Sequence, residues 1–116
     1  MKIDFTEDEY LFIPGLNGGE GKIGAKMHAE KGLKAIKSVI PVGASIGLHA
    51  HETSIDFNYV VSGEGMAVCD GVEEKLSAGD VHYCPLGSTH SLKNTGNKDL
   101  VLITFVPELT KNGRDG

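Results

Sequence analysis

Along this chain apolar and polar residues alternate in short runs that glycine or proline interrupts every few positions. Side chains of an extended strand point to its two faces in turn, so this alternation marks half-buried strands. A helix would instead repeat its apolar positions every three or four residues. Strands are predicted over 34–40, 46–51, 57–61, 65–69, 73–76, 81–84, 90–94 and 100–106. The last, Leu100-Val101-Leu102-Ile103-Thr104-Phe105-Val106, is apolar on both faces, which places it inside the sheet system or at a subunit contact. Cys69-Asp70-Gly71-Val72 reads as a hairpin with Asp-Gly at the positions that need positive φ, and Thr95-Gly96-Asn97 as a second turn of the same kind. Sixteen glycines leave little room for a long helix, so the predicted class is all-β.

The ends carry weaker patterns. Residues 1–20 read as an N-terminal arm in which the acidic run Thr6-Glu7-Asp8-Glu9 caps a short turn or helix, and 110–116 reads as a frayed polar tail. A length of 116 residues leaves no room for a second domain and is enough for one core without disulfides, so 1–116 is expected to be one domain. The composition, 40% hydrophobic and 23% charged with a net charge of -5, is that of an ordinary soluble protein. Its lysines are scattered singly, without the basic cluster of a phosphate-backbone binder, so no nucleic-acid partner is expected. The first residues lack the cationic lead and apolar core of a signal peptide, and no apolar run approaches membrane-spanning length. The expected address is the cytoplasm, away from membranes. Cys69 and Cys84 are too far apart for a CxxC pair and read as small buried hydrophobes.

The chemistry concentrates in two stretches. His49 and His51 are two apart, so on an extended chain both imidazoles leave the same face and can converge on one ion. With Asp56 and His90 they make three imidazoles and a carboxylate, a complete ligand set for a transition metal with open coordination positions. Asn58 and Val60 share the face of Asp56, and Asn58 is placed to hydrogen-bond a bound anion or orient a ligand. Tyr59, on the opposite face, reads as core or interface. His82 and Tyr83 face opposite ways, so one of them looks inward, and both join Asn58 as candidate substrate-binding residues. His28 reads as a plain surface histidine, and Glu52 as a reserve carboxylate in the flanking loop. Ser91 faces away from its neighbour His90, which argues against a hydrolytic triad.

Taken whole, Gly43-x5-His49-x-His51-x4-Asp56-x6-Gly63 resembles the first motif of the cupin superfamily, with Asp56 where that family usually has glutamate. Gly79-x5-Pro85-x-Gly87-x2-His90-x3-Asn94 matches its second motif at every position, and the fifteen residues between Gly63 and Gly79 resemble the short spacing of compact single-domain microbial cupins. The segment from Val42 to His49 is similar to that of small manganese cupins described as oxalate-decarboxylase-like. The resemblance implies a single antiparallel β-barrel or jelly roll, a double-stranded β-helix, with one metal at its mouth. The implied ligands are His49, His51, Asp56 and His90, and the implied assembly is a homodimer. Manganese or iron suits the donors best, and nickel, cobalt, zinc and copper also use such sites. Three functions stay open: a metalloenzyme acting on a small oxygen-rich compound by decarboxylation, dioxygenation or isomerisation; a non-catalytic cupin binding a sugar or organic acid, its metal site weakened by Asp56; and a metal-free barrel.

Overall fold

The structure, a computed structural model, describes residues 1–6 and 9–109. The strands are β1 (Leu11–Pro14), β2 (Lys22–Glu30), β3 (Leu33–Ile40), β4 (Ser45–Ala50), β5 (Asp56–Ser62), β6 (Glu64–Cys69), β7 (Val72–Ser77), β8 (Val81–Cys84), β9 (Thr89–Asn94) and β10 (Leu100–Pro107), with one 3-10 turn at Leu16–Gly18. They form a six-stranded sheet in the order β1-β2-β3-β10-β5-β8 and a four-stranded sheet in the order β4-β9-β6-β7. The ladders are antiparallel throughout. β10 lies between β3 and β5; its inward Leu100, Leu102 and Thr104 are buried, whereas the apolar residues of its other face are half-buried or, at Phe105, exposed.

All eight strands expected from the alternation are present, with ends shifted by a residue at most. β1 and β2 are additional, and β1 lies within the stretch read as an arm. The expected jelly roll is present as two facing sheets, but they do not close into a barrel: no ladder joins them among the described residues. Asp70 and Gly71 both have positive φ, as the β6–β7 hairpin requires. The connection at Thr95 differs from its expected hairpin type. It crosses from the four-stranded to the six-stranded sheet, Gly96 is not left-handed, and the Asn94 side chain organises the loop by donating to the carbonyls of Ile40 and Lys98 and accepting from Gly96 N, each at 2.8 Å. Thr6–Glu9 falls partly, and the 110–116 tail wholly, outside the described residues.

The core packs Ile23, Ile40, Val60, Ala67, Leu76, Leu92, Leu100 and Leu102 between the sheets. Burying a Val, Leu or Ile side chain contributes about 1.5–3 kcal/mol, so this cluster is the main force holding the sheets face to face. The 3-10 turn is pressed against β4 by a pair of close approaches. A Cβ on Gly47 would lie 2.0 Å from the Asn17 carbonyl oxygen, and one on Gly19 would lie 2.1 Å from that of Ser45, so only glycine fits either position. This contact brings Leu16 and Asn17 to the wall of a cavity left open between the sheets. Cys84 is buried and Cys69 half-buried, and both are free thiols.

Candidate metal centre

β4 and β9 pair with His49 directly opposite His90, so the ladder itself sets two imidazoles side by side. His51 follows the end of β4, and Asp56 opens β5 on the facing sheet. One donor atom from each of the four lies within 4.8 Å of all the others. His90 Nε2 is the hub: it is 3.1 Å from His49 Nε2, 3.2 Å from His51 Nε2 and 3.0 Å from Asp56 Oδ2, and His51 Nε2 is 3.3 Å from Asp56 Oδ2. Donors on adjacent vertices of an octahedron with bonds of about 2.1–2.2 Å stand about 3.0–3.1 Å apart. The four contacts, 3.0–3.3 Å, lie within about 0.2 Å of that edge, so the shorter Asp56 side chain reaches the cluster from the start of β5. His49 Nδ1 is 2.8 Å from the Gly47 carbonyl oxygen, which only accepts, so the Nε2 of neutral His49 presents a lone pair to the others. A lone pair facing further ring nitrogens and a carboxylate is an arrangement that a cation relieves, and the donor set fits a divalent metal ion.

The electrostatics lean the same way. Burial holds the His49 and His51 imidazoles below their usual range, against the raising effect of the Gly47 carbonyl on His49 and of Asp56 on His51. Burial alone would push the Asp56 carboxyl up. When the His90 ring is protonated, its hydrogen bond to the carboxylate, with the charge that His51 and His90 then carry and the Asn58 amide, outweighs that and holds the carboxyl below its usual range. Neutral imidazoles beside an ionised carboxylate are the protonation states a metal requires.

Behind Asp56 lies a buried polar row. Thr104 and Asn58 are cross-strand partners on β10 and β5, and Asn58 is in turn opposite His82 on β8. The Thr104 hydroxyl donates to Asn58 Oδ1 at 2.7 Å, and Asn58 Nδ2 donates to Asp56 Oδ2 at 3.3 Å. Of the pair His82 and Tyr83, His82 points inward but does not line the cavity. It stands behind His90, with Nε2 3.0 Å from His90 Nδ1 and Nδ1 2.8 Å from Glu74 Oε1. Tyr83 lies on the outer face, stacked on Phe57 with ring centroids 5.7 Å apart. Tyr59 is also on that outer face, Glu52 is exposed outside the cluster, and His28 pairs with Glu30 at 2.9 Å. The sequence reading missed Thr104 and Glu74. Thr104 was detectable, as a polar residue at an inward position in line with Leu100 and Leu102. Glu74 carries no such mark, because it sits among exposed residues of an edge strand.

Three residues of the cluster, His49, His51 and Asp56, line a cavity of about 530 Å³. Ile13, Ile23, Met27, Ile36, Leu102 and Val106 give it apolar walls, and His49, His51, Asp56, Asn58 and Thr104 give it a polar end. Such a lining suits a small molecule with a polar head and an apolar body.

A cupin-domain family profile matches residues 37–106, which include all four clustered residues. An oxalate-binding protein of Thermotoga maritima is 34% identical over 101 residues, spanning 81% of this chain and 83% of that protein. The crystal structure of a predicted oxalate decarboxylase from Thermotoga maritima superposes with a TM-score of 0.89 at 30% identity, covering 94% of this chain and all of that one. KdgF from Halomonas sp. shares the fold alone, with a TM-score of 0.75 at 23% identity over 95% of this chain and 94% of that one. The paired sheets, the two motifs and these likenesses together show that the chain belongs to the cupin family.

Proposed function

We propose that this single-domain cupin is a metal-dependent enzyme acting on a small oxygen-rich carbon compound, with decarboxylation, dioxygenation or isomerisation as the reaction class. The observation that carries this reading is the cluster of four donors gathered within 4.8 Å of one another around His90, three of whose residues line a cavity large enough for a small organic acid. His49, His51, Asp56 and His90 would hold the ion, with manganese or iron preferred and nickel, cobalt, zinc or copper also compatible with the donors. When bound, the ion supplies Lewis-acid polarisation of substrate oxygens or a redox centre. The chain's own part is to orient. Asn58 fixes the Asp56 carboxylate and stands beside the space a substrate head would fill, with apolar side chains lining the rest of that space. The Thermotoga protein described as oxalate-binding supports small dicarboxylates as the first class to test.

A second reading, binding without turnover, draws on the same relative and on the cavity lining. Apart from the cluster, the titratable groups among the described lining residues are Glu30, Lys34 and Glu108, and none of these is buried. The two readings separate when metal-loaded and chelator-stripped protein are mixed with oxalate, other dicarboxylates and vicinal diols, with and without oxygen. The enzyme reading expects metal-dependent loss of one compound by NMR. Binding of a compound that persists unchanged selects the binding protein, whether or not the metal is needed for it, and failure to bind any of these compounds overturns both.

We further propose a cytoplasmic homodimer. No helix among the described residues is long and apolar enough to cross a membrane. The outer face of the six-stranded sheet exposes Phe57, Tyr59, Val61, Val81, Tyr83 and Phe105, an apolar surface that a second copy would cover. Sedimentation should give a dimer for the natural chain and a monomer for Tyr59→Glu; a monomeric natural chain contradicts the proposal.

A further inference from the structure

β7 is the outer edge of the four-stranded sheet and β8 the outer edge of the six-stranded one. Across that seam runs a row of three side chains that ends at the metal cluster. Glu74 on β7 reaches His82 Nδ1 at 2.8 Å, and His82 Nε2 reaches His90 Nδ1 at 3.0 Å. His90 Nε2 is the hub atom of the cluster. The two rings lie nearly parallel, 23° apart. His82 is almost wholly buried, at 2% exposure, whereas the Glu74 side chain is 56% exposed and keeps contact with water.

The direction of this row is forced by its outer end. An ionised carboxylate has no proton to give, so neutral His82 must carry its hydrogen on Nδ1 and donate it to Glu74. That leaves a lone pair on His82 Nε2, which accepts from His90 Nδ1, and His90 is then left with a lone pair on Nε2, the atom aimed at the cluster. From this geometry we infer that Glu74 and His82 are positioning residues for the metal centre: the surface carboxylate selects the tautomer of His90, two hydrogen bonds away, that can ligate. The outer-sphere partner of His49 is a backbone carbonyl, which no substitution of a side chain changes; that of His90 depends on Glu74 and His82, so metal affinity is adjustable from the surface at this point.

This inference rests on the metal-site reading, and the test separates the two. Co²⁺ titrations, followed by absorbance and calorimetry, compare the natural chain with Glu74→Gln and with Glu73→Gln, which removes the same charge from the neighbouring residue on the opposite face of β7. Ring ¹⁵N spectra of the metal-free proteins report which nitrogen of each histidine carries hydrogen. Glu74 is exposed, so Glu74→Gln keeps the fold. Its amide can donate as well as accept, so it no longer dictates a direction. The expected result is Co²⁺ binding about tenfold or more weaker in Glu74→Gln alone, with the His82 Nδ1–H signature clear in the natural chain and lost or mixed in that variant. Equal affinities for all three proteins overturn the inference and leave the metal site standing. A natural chain that takes up no Co²⁺ overturns the metal reading and this inference with it.

Discussion

The polar row behind Asp56 makes a quantitative prediction for Thr104→Val. The substitution keeps the shape of the side chain and removes one hydroxyl, which donates to Asn58 Oδ1 at 2.7 Å between two buried residues. Asn58 is 2% exposed, so water does not replace the lost donor. An acceptor left unsatisfied in such a place costs about 1–3 kcal/mol. Valine recovers part of that because a buried hydroxyl no longer has to be desolvated, which leaves a net loss of about 1–2 kcal/mol. Urea unfolding of the metal-free protein reads this directly, and thermal unfolding should show a melting temperature lower by about 4–8 °C. The same variant loosens Asn58, whose amide holds Asp56 at 3.3 Å, so metal affinity should also weaken, by at most about tenfold because Thr104 is one bond further from the ion. The double variant Asn58→Leu/Thr104→Val should cost less than the sum of its single changes, since neither then leaves a partner orphaned. A change in stability below about 0.5 kcal/mol for Thr104→Val would refute the reasoning, because it would mean that Asn58 finds another donor at no cost.

Two further outcomes follow from the same geometry. His49, His51 and Asp56 all sit below their usual ranges, so between the folded and ordinary histidine values the unfolded chain binds protons that the folded chain does not. Stability of the metal-free protein should therefore fall as pH drops from 7 to 5, with the Asp56 contribution lost only in stronger acid; a melting temperature that rises over that interval contradicts the assignment. Burial, with Cys69 as the next cause, pushes the Cys84 thiol up to about 12. At pH 8 a thiol reagent should modify Cys69 in the native protein and reach Cys84 only after unfolding, and two equivalents reacting at one rate in the native state would refute this.

How much of this was legible in the chain depends on how each feature is encoded. Most of the eight strands from β3 to β10 carry period-two alternation or a long apolar run because one face is buried; β7, with only Leu76 buried, and β4, with no fully buried residue, are marked chiefly by the turns and motif residues that bound them. β1 and β2 carry neither mark. They lie at the edge of the six-stranded sheet, where exposed positions dilute the pattern, and Gly24 interrupts β2 because a Cβ there would meet the Phe12 ring at 2.9 Å. The four clustered residues were readable because strand periodicity and motif spacing put them together. Spacing could not decide whether an aspartate reaches as far as a glutamate; that depends on where β5 starts against β8 and β9, which is a tertiary matter. Nor could it place His82 and Glu74, since their partnership crosses the seam between two sheets. Barrel closure was overestimated because alternation reports which face of a strand is buried and carries no information on whether the outermost strands hydrogen-bond to each other.

The most direct test of the central claim is metal content. Untagged protein purified without chelator, reloaded with Mn²⁺ or Fe²⁺ and desalted, should carry close to one ion per chain by elemental analysis, and His90→Ala and Asp56→Ala prepared in parallel should carry far less. A natural chain that stays empty, or a His90→Ala variant that keeps the full complement, would contradict the account.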